Sequence, residues 1–153
     1  MPRDVWVLHG PNLNLLGRRE PQLYGREGLA AIDKRLAKLG ETLGLRVASF
    51  QTNHEGALID RLAVAMDEVD GCLINPAALS HTSLALADTL RAMTIPVVEV
   101  HLTNLYARGR ERQISLTGGA VGGVVMGFGP ASYELGLRAL AALLGRSTRR
   151  GNR

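Results

Sequence analysis

The chain has 153 residues, 46% hydrophobic and 21% charged, with a formal net charge of +4. That length and balance suit one soluble domain with its own core. The single Cys72 excludes an intrachain disulfide, and no apolar run approaches the ~20 residues of a membrane span, so a reducing, cytoplasmic setting is expected.

Residues 5–9 read as a buried strand. Gly10 to Gly25, Gly-Pro-Asn-Leu-Asn-Leu-Leu-Gly-Arg-Arg-Glu-Pro-Gln-Leu-Tyr-Gly, fits neither period and is expected to be a functional loop. It reads as a lid that brings a tyrosine and an arginine over a pocket. Leu29, Ile32, Leu36, Leu39 and Leu43 recur at helical spacing, with Asp33, Lys34, Lys38 and Glu41 facing away. Gly44 ends that helix. A second strand follows at Arg46–Gln51. A helix opens near Glu55, with Leu58, Ile59, Leu62 and Met66 on one face. Gly71–Asn75 is the third strand, and Pro76 stops its ladder. Ser80 is the expected cap of the next helix, whose Leu86, Leu90 and Met93 share a face. Pro96–Val100 and Val121–Met126 are strands, separated by a polar, irregular stretch at 102–118. Ala131–Leu144 is a last helix with Leu137, Leu140 and Leu144 inward.

Strand and helix alternate throughout, which predicts an α/β fold: a parallel sheet with helices on both faces. Five strands suit a flavodoxin-like three-layer sandwich of order 2-1-3-4-5. Residues 1–145 are expected to form one domain. The basic tail 146–153 has no interleaved aromatics, so a solvated, frayed terminus is expected rather than a nucleic-acid arm.

Ligands of such sheets bind beyond the carboxyl ends of the strands, near the switch point between strands 1 and 3. Asn12 follows strand 1, Asn75 ends strand 3, and His81 opens the next helix. Glu99 and His101 end strand 4, and their alternation places carboxylate and imidazole on one side of it. Each alone has an ordinary reading as a turn former or cap. Their convergence on one edge favours a site.

Other features carry less. Gly127-Phe-Gly129-Pro-Ala-Ser132 lacks the third glycine of a dinucleotide fingerprint. His9 reads as a core or supporting residue, and His54, beside Asn53 and Glu55 atop strand 2, as structural or interfacial. Cys72 is an unreactive mid-strand thiol. No cluster has metal-ligand spacing, so no metal is expected. The only lysines, Lys34 and Lys38, lie far from the carboxyl edge, which argues against a Schiff-base enzyme. His101, His81 and Tyr24 remain as bases. Ionising a free phenol at pH 7 costs about 4 kcal/mol, and one guanidinium at ~4 Å returns up to about 4 kcal/mol at an effective dielectric near 20. Arg18, Arg19, Arg108 and Arg112 are candidates. From spacing alone, Tyr24 as a loop anchor among surface arginines stays the simpler reading.

The blocks 10–25, Gln51-Thr-Asn-His-Glu-Gly56, Ile74-Asn-Pro76 with His81-Thr-Ser83, and Glu99-Val-His-Leu-Thr-Asn104 with Arg108 and Arg112 resemble type II 3-dehydroquinases. The resemblance runs in register from about residue 5 to 144. It implies cofactor-free dehydration of 3-dehydroquinate to 3-dehydroshikimate by anti elimination through an enolate. Carried over, Tyr24 takes the C2 proton, Arg19 holds it as phenolate and Arg108 lies nearby. Asn12 positions a water against the enolate oxygen. His101, oriented by Glu99, protonates the departing hydroxyl. Asn75, His81 and Arg112 hold ring hydroxyls, and backbone amides at Leu102 and Thr103 hold the carboxylate. The resemblance further implies a dodecamer of four trimers, with Asp88 reaching a neighbouring site.

The sequence departs from the family pattern in places. Ala77-Ala78-Leu79-Ser80 stands where Gly-Ala-Tyr-Thr is usual, Ala87 replaces a frequent Arg, Thr103 replaces Ser, Gly109-Arg110-Glu111 replaces an acidic-Pro-Phe-like run, and Gly118 replaces Ser. Two other classes remain in view from the residues: a non-catalytic flavodoxin-like binding module and a basic nucleic-acid-associated protein.

Overall fold

Residue parity along the strands sorts the interior into two cores. A computed structural model describes residues 1–150, with side chains through residue 146. Strands β1 (Arg3–His9), β2 (Leu45–Gln51), β3 (Gly71–Asn75), β4 (Val97–His101) and β5 (Gly123–Met126) form one sheet in the order β2-β1-β3-β4-β5. Every neighbouring pair is parallel, which gives the expected flavodoxin-like order. The helices in chain order are α1 (Pro21–Tyr24), α2 (Leu29–Thr42), α3 (Glu55–Glu68), α4 (Leu79–Thr82), α5 (Leu84–Ala92), α6 (Arg110–Gln113) and α7 (Ala131–Arg150).

On one face, Val5 and Val7 of β1, Leu73 of β3 and Val98 and Val100 of β4 pack with Ile32 and Leu36 of α2 and Leu137, Leu140 and Leu144 of α7. On the other, Leu8, Cys72, Ile74 and Val97 meet Leu58 and Leu62 of α3 and Leu86 and Leu90 of α5. Each buried Leu or Ile contributes roughly 1.5–3 kcal/mol relative to exposure. The β-branched residues of β1 and β4 suit a pleated, buried surface. β3 and β4 are buried along their whole length, as central parallel strands are.

Several expectations need correction. Ser80 caps no long helix. The chain makes one turn as α4 and breaks at Ser83 (φ −100°, ψ 99°), whose Oγ accepts the Leu86 N–H at 2.9 Å and caps α5. Ser80 is instead buried, its hydroxyl 3.3 Å from that of Ser115. Asp33 does not face away: its carboxylate accepts from His9 Nε2 at 2.7 Å. The loop at 10–25 contains a 3₁₀ turn (Leu13–Leu15) and α1, and the stretch at 102–118 contains a 3₁₀ turn (Leu105–Ala107) and α6. α7 runs on to Arg150. The frayed tail expected over 146–153 lies, beyond its first residue and the α7 backbone, outside the described residues.

Candidate active site

Close backbone approach builds the first wall. Gly10 follows β1, and its N–H donates to the Asn75 carbonyl at 2.8 Å. A Cβ there would lie 2.7 Å from the Pro76 carbonyl oxygen, so no larger residue fits without moving the backbone. Asn12 then takes a left-handed conformation, φ 69°, which asparagine tolerates better than most residues. Its N–H donates to Asn53 Oδ1 at 2.9 Å. Gln51 Nε2 also donates to that oxygen and to the Gly10 carbonyl, at 3.1 and 3.2 Å. The residues atop β2 thus buttress the turn that carries Asn12.

The rest of the loop comes next. Gly17 (φ 88°) sits where a Cβ would meet the Arg26 carbonyl at 2.9 Å. Pro21 starts α1, where its missing N–H costs nothing. Tyr24, three residues on, is half-buried. Its hydroxyl accepts a hydrogen bond from Arg108 Nη1 at 2.9 Å. The Arg19 guanidinium lies over the ring, 5.1 Å from its centroid, and that of Arg108 at 5.5 Å. Arg108 also reaches the Thr103 hydroxyl at 3.5 Å.

The α3/α5 face supplies the acid–base pair. His101 Nε2 donates to Glu99 Oε2 at 2.8 Å, and both are buried. The carboxylate can only accept, so Nε2 carries a proton, and Nδ1 is the ring nitrogen left for the cavity. Thr117, fully buried, donates its hydroxyl to the other Glu99 oxygen. His81 Nδ1 donates to the Ile114 carbonyl at 2.7 Å, which leaves Nε2 for a ligand. Leu116 N–H to the Ser80 carbonyl, at 2.7 Å, stitches the 102–118 stretch to α4 a second time.

From the α2/α7 face comes Asn75, 3% exposed. Its Oδ1 accepts the Ala77 N–H and its Nδ2 donates to the Tyr133 hydroxyl, both at 3.1 Å. Ala77 is held at φ 51°, a region that favours glycine. Alanine there carries backbone strain of order 1 kcal/mol.

One cavity collects these groups. Asn12, Arg19, Tyr24, Asn75, His81 and His101 all line it. Leu102, Thr103 and Arg112 complete it. Glu99 and Arg108 stand behind the lining, against His101 and Tyr24. Asp88 is not brought in: it is exposed on α5 and paired with Arg91 at 3.1 Å. The Gly127–Gly129 loop supports the site from below, since Gly129 N–H donates to the Leu102 carbonyl at 2.9 Å. His54 is exposed at the start of α3. Burial pushes the Cys72 thiol up to about 12, consistent with an inert role. A larger open depression, lined by Met93, Ile95, Val97 and Leu143, lies at the opposite edge of the sheet and holds no acid–base pair. Among the described residues no group of His, Cys, Asp and Glu is placed to hold a metal ion, and no helix is long and apolar enough to cross a membrane.

The partners that sequence reasoning missed are Thr117, Tyr133, Asp33 and Asn53. Tyr133 had a signal: with Leu137, Leu140 and Leu144 it continues the inward stripe of α7. Thr117 stands one position before the departure at Gly118, but nothing in its spacing pointed to Glu99.

A sequence profile described as dehydroquinase class II matches residues 3–141. The chain belongs to this family. It is 52% identical over 142 residues to a 3-dehydroquinate dehydratase of Desulforudis audaxviator, covering 93% of this chain and 95% of the relative. It is 48% identical over 147 residues to one of Rhizobium meliloti, covering 96% and 99%. The crystal structure of a type II dehydroquinase from Propionibacterium acnes superposes with a TM-score of 0.89 at 41% identity, covering 93% of this chain and 98% of that one.

Proposed function

We propose that this chain is a hydro-lyase that dehydrates 3-dehydroquinate to 3-dehydroshikimate by anti elimination through an enolate. The observation that carries the reading is the meeting of Tyr24, Asn12 and His101 on one cavity, with the Tyr24 hydroxyl held by Arg108 at 2.9 Å. Tyr24, as phenolate, takes the C2 proton, and the C–H electrons move onto the carbonyl oxygen as an enolate. Asn12 holds a water against that oxygen. The enolate then collapses to the conjugated enone as the C1–O bond breaks. His101 acts as the imidazolium, its Nε2–H held by Glu99, which Thr117 backs; its Nδ1 proton passes to the departing hydroxyl, water leaves, and the ring is left neutral. The sequence is redox-neutral and balances with one proton removed and one supplied.

Arg19 and Arg108 present positive charge to the phenolate from its ring face and its oxygen. Asn75, His81 and Arg112 hold ring hydroxyls, and the amides of Leu102 and Thr103 hold the carboxylate. A single catalytic domain over 1–145 acts in the cytoplasm, within a dodecamer of four trimers to whose neighbouring sites the exposed Asp88 points. The test is Tyr24→Phe, assayed by the enone absorbance of the product. Turnover is expected to fall about 10²–10⁴-fold with the circular dichroism spectrum unchanged. Near-wild-type turnover would remove Tyr24 as the base.

A further inference from the structure

His9 and Tyr133 are fully buried titratable groups for which the elimination has no use. They nevertheless touch the site. Hydrogen accounting gives the direction of each bond they make. A backbone N–H can only donate, so the Ala77 N–H fixes Asn75 Oδ1 as acceptor and Nδ2 as the opposite atom. Nδ2 donates to the Tyr133 hydroxyl at 3.1 Å. The phenol proton then goes to His9 Nδ1 at 2.7 Å. His9 Nε2 accordingly holds the ring proton and donates it to Asp33 Oδ1 at 2.7 Å. The other tautomer would leave the buried phenol proton without an acceptor and set two lone pairs together at Asp33. A doubly protonated ring would also orphan the phenol proton. Burial raises the Tyr133 phenol far above its usual range, so its proton stays in place. The far end is a carboxylate whose side chain is 31% exposed, where water meets its remaining acceptor capacity.

We propose that Asp33, His9 and Tyr133 are positioning residues that, together with the Ala77 N–H, hold the Asn75 amide in the orientation it turns to the ligand. With Oδ1 turned to the Ala77 N–H and one Nδ2 hydrogen held by Tyr133, the second Nδ2 hydrogen is the donor Asn75 has left to offer the cavity. The chain of bonds thus leaves Asn75 a donor suited to an oxygen lone pair on the ligand. This rests on the assignment of Asn75 to the substrate made above.

The test is a double-mutant cycle with steady-state kinetics. A group that holds substrate and transition state alike is read in KM. Tyr133→Phe removes one partner of a buried donor, and it is expected to raise KM about tenfold with kcat within about threefold of wild type. Asp33→Asn, which keeps an oxygen acceptor for His9 Nε2, is expected to raise KM at most about threefold, with its fold checked by circular dichroism. In the Asn75→Ala background neither change should lower kcat/KM further. Equal losses with and without Asn75, or an unchanged KM in both variants, would overturn the inference while leaving the Asn75 assignment intact. An Asn75→Ala variant with full kcat/KM would overturn both.

Discussion

Thr117→Val isolates what one hydroxyl does for the Glu99–His101 pair. Valine keeps the shape of threonine, so the change opens no cavity, and Thr117 is fully buried. What is lost is the donor to one oxygen of a buried carboxylate. The other oxygen keeps its 2.8 Å bond from His101 Nε2. Hydrogen bonds to charged groups contribute roughly 1.5–3 kcal/mol net, and a buried acceptor left alone costs at least that. We therefore expect a loss of about 2 kcal/mol in denaturant unfolding at fixed protein concentration. That corresponds to about 4–8 °C in Tm for a domain of this size. Catalysis should follow through geometry: a carboxylate held at one oxygen orients the imidazole less well, so kcat should fall several-fold with KM nearly unchanged. Thr117→Ser keeps the hydroxyl and should retain most of both quantities. A valine variant as stable and as active as the serine variant would refute the reasoning.

Two further outcomes can be checked directly. Gly10→Ala would place a Cβ 2.7 Å from the Pro76 carbonyl oxygen, and the displaced Asn12 turn should cost at least about 10²-fold in kcat/KM by the sensitivity of positioned groups, measured by the product assay; full activity would show that the approach is not limiting. Burial pushes the Cys72 thiol up from its ordinary 9.0 to about 12 in the fold. Below pH 9 both folded and unfolded chains hold this proton, so it leaves stability unchanged. Above pH 9 the unfolded chain releases it first, and stability falls as pH rises. Native protein should accordingly resist iodoacetamide at pH 8 and react on unfolding, followed by intact mass.

The parallel order and the carboxyl-edge site were both legible, because alternation of period 3.6 and period 2 decides layers and because strand ends decide where polar residues collect. Asn12, Asn75, His81 and His101 reach the cavity for that reason, and Arg19 and Tyr24 because no regular period could absorb residues 10–25. What stayed hidden was pairing across long separations. Tyr133 lies 58 residues from Asn75 and within an apolar stripe, where an aromatic reads as packing alone. Asp33 sits beside buried Ile32 at the border of its helix, and periodicity sorts apolar from polar without saying which polar group turns inward. Ser80 and Ser83 are equally good caps by type. The break that selects Ser83 comes from α4 being stitched to the 102–118 stretch through Ser80, His81, Ile114 and Leu116.

The sheet's parity has a consequence for how this site can change. Asn75 answers to the layer of α2 and α7, through Tyr133 and His9. Glu99 and His101 answer to the opposite side, through Thr117. The two supports share no side chain, since the strands themselves keep them apart. Asn75 and the Glu99–His101 pair therefore rest on separate sets of side-chain hydrogen bonds. A change at Tyr133 or His9 removes no hydrogen bond from the Glu99–His101 pair, and a change at Thr117 removes none from Asn75.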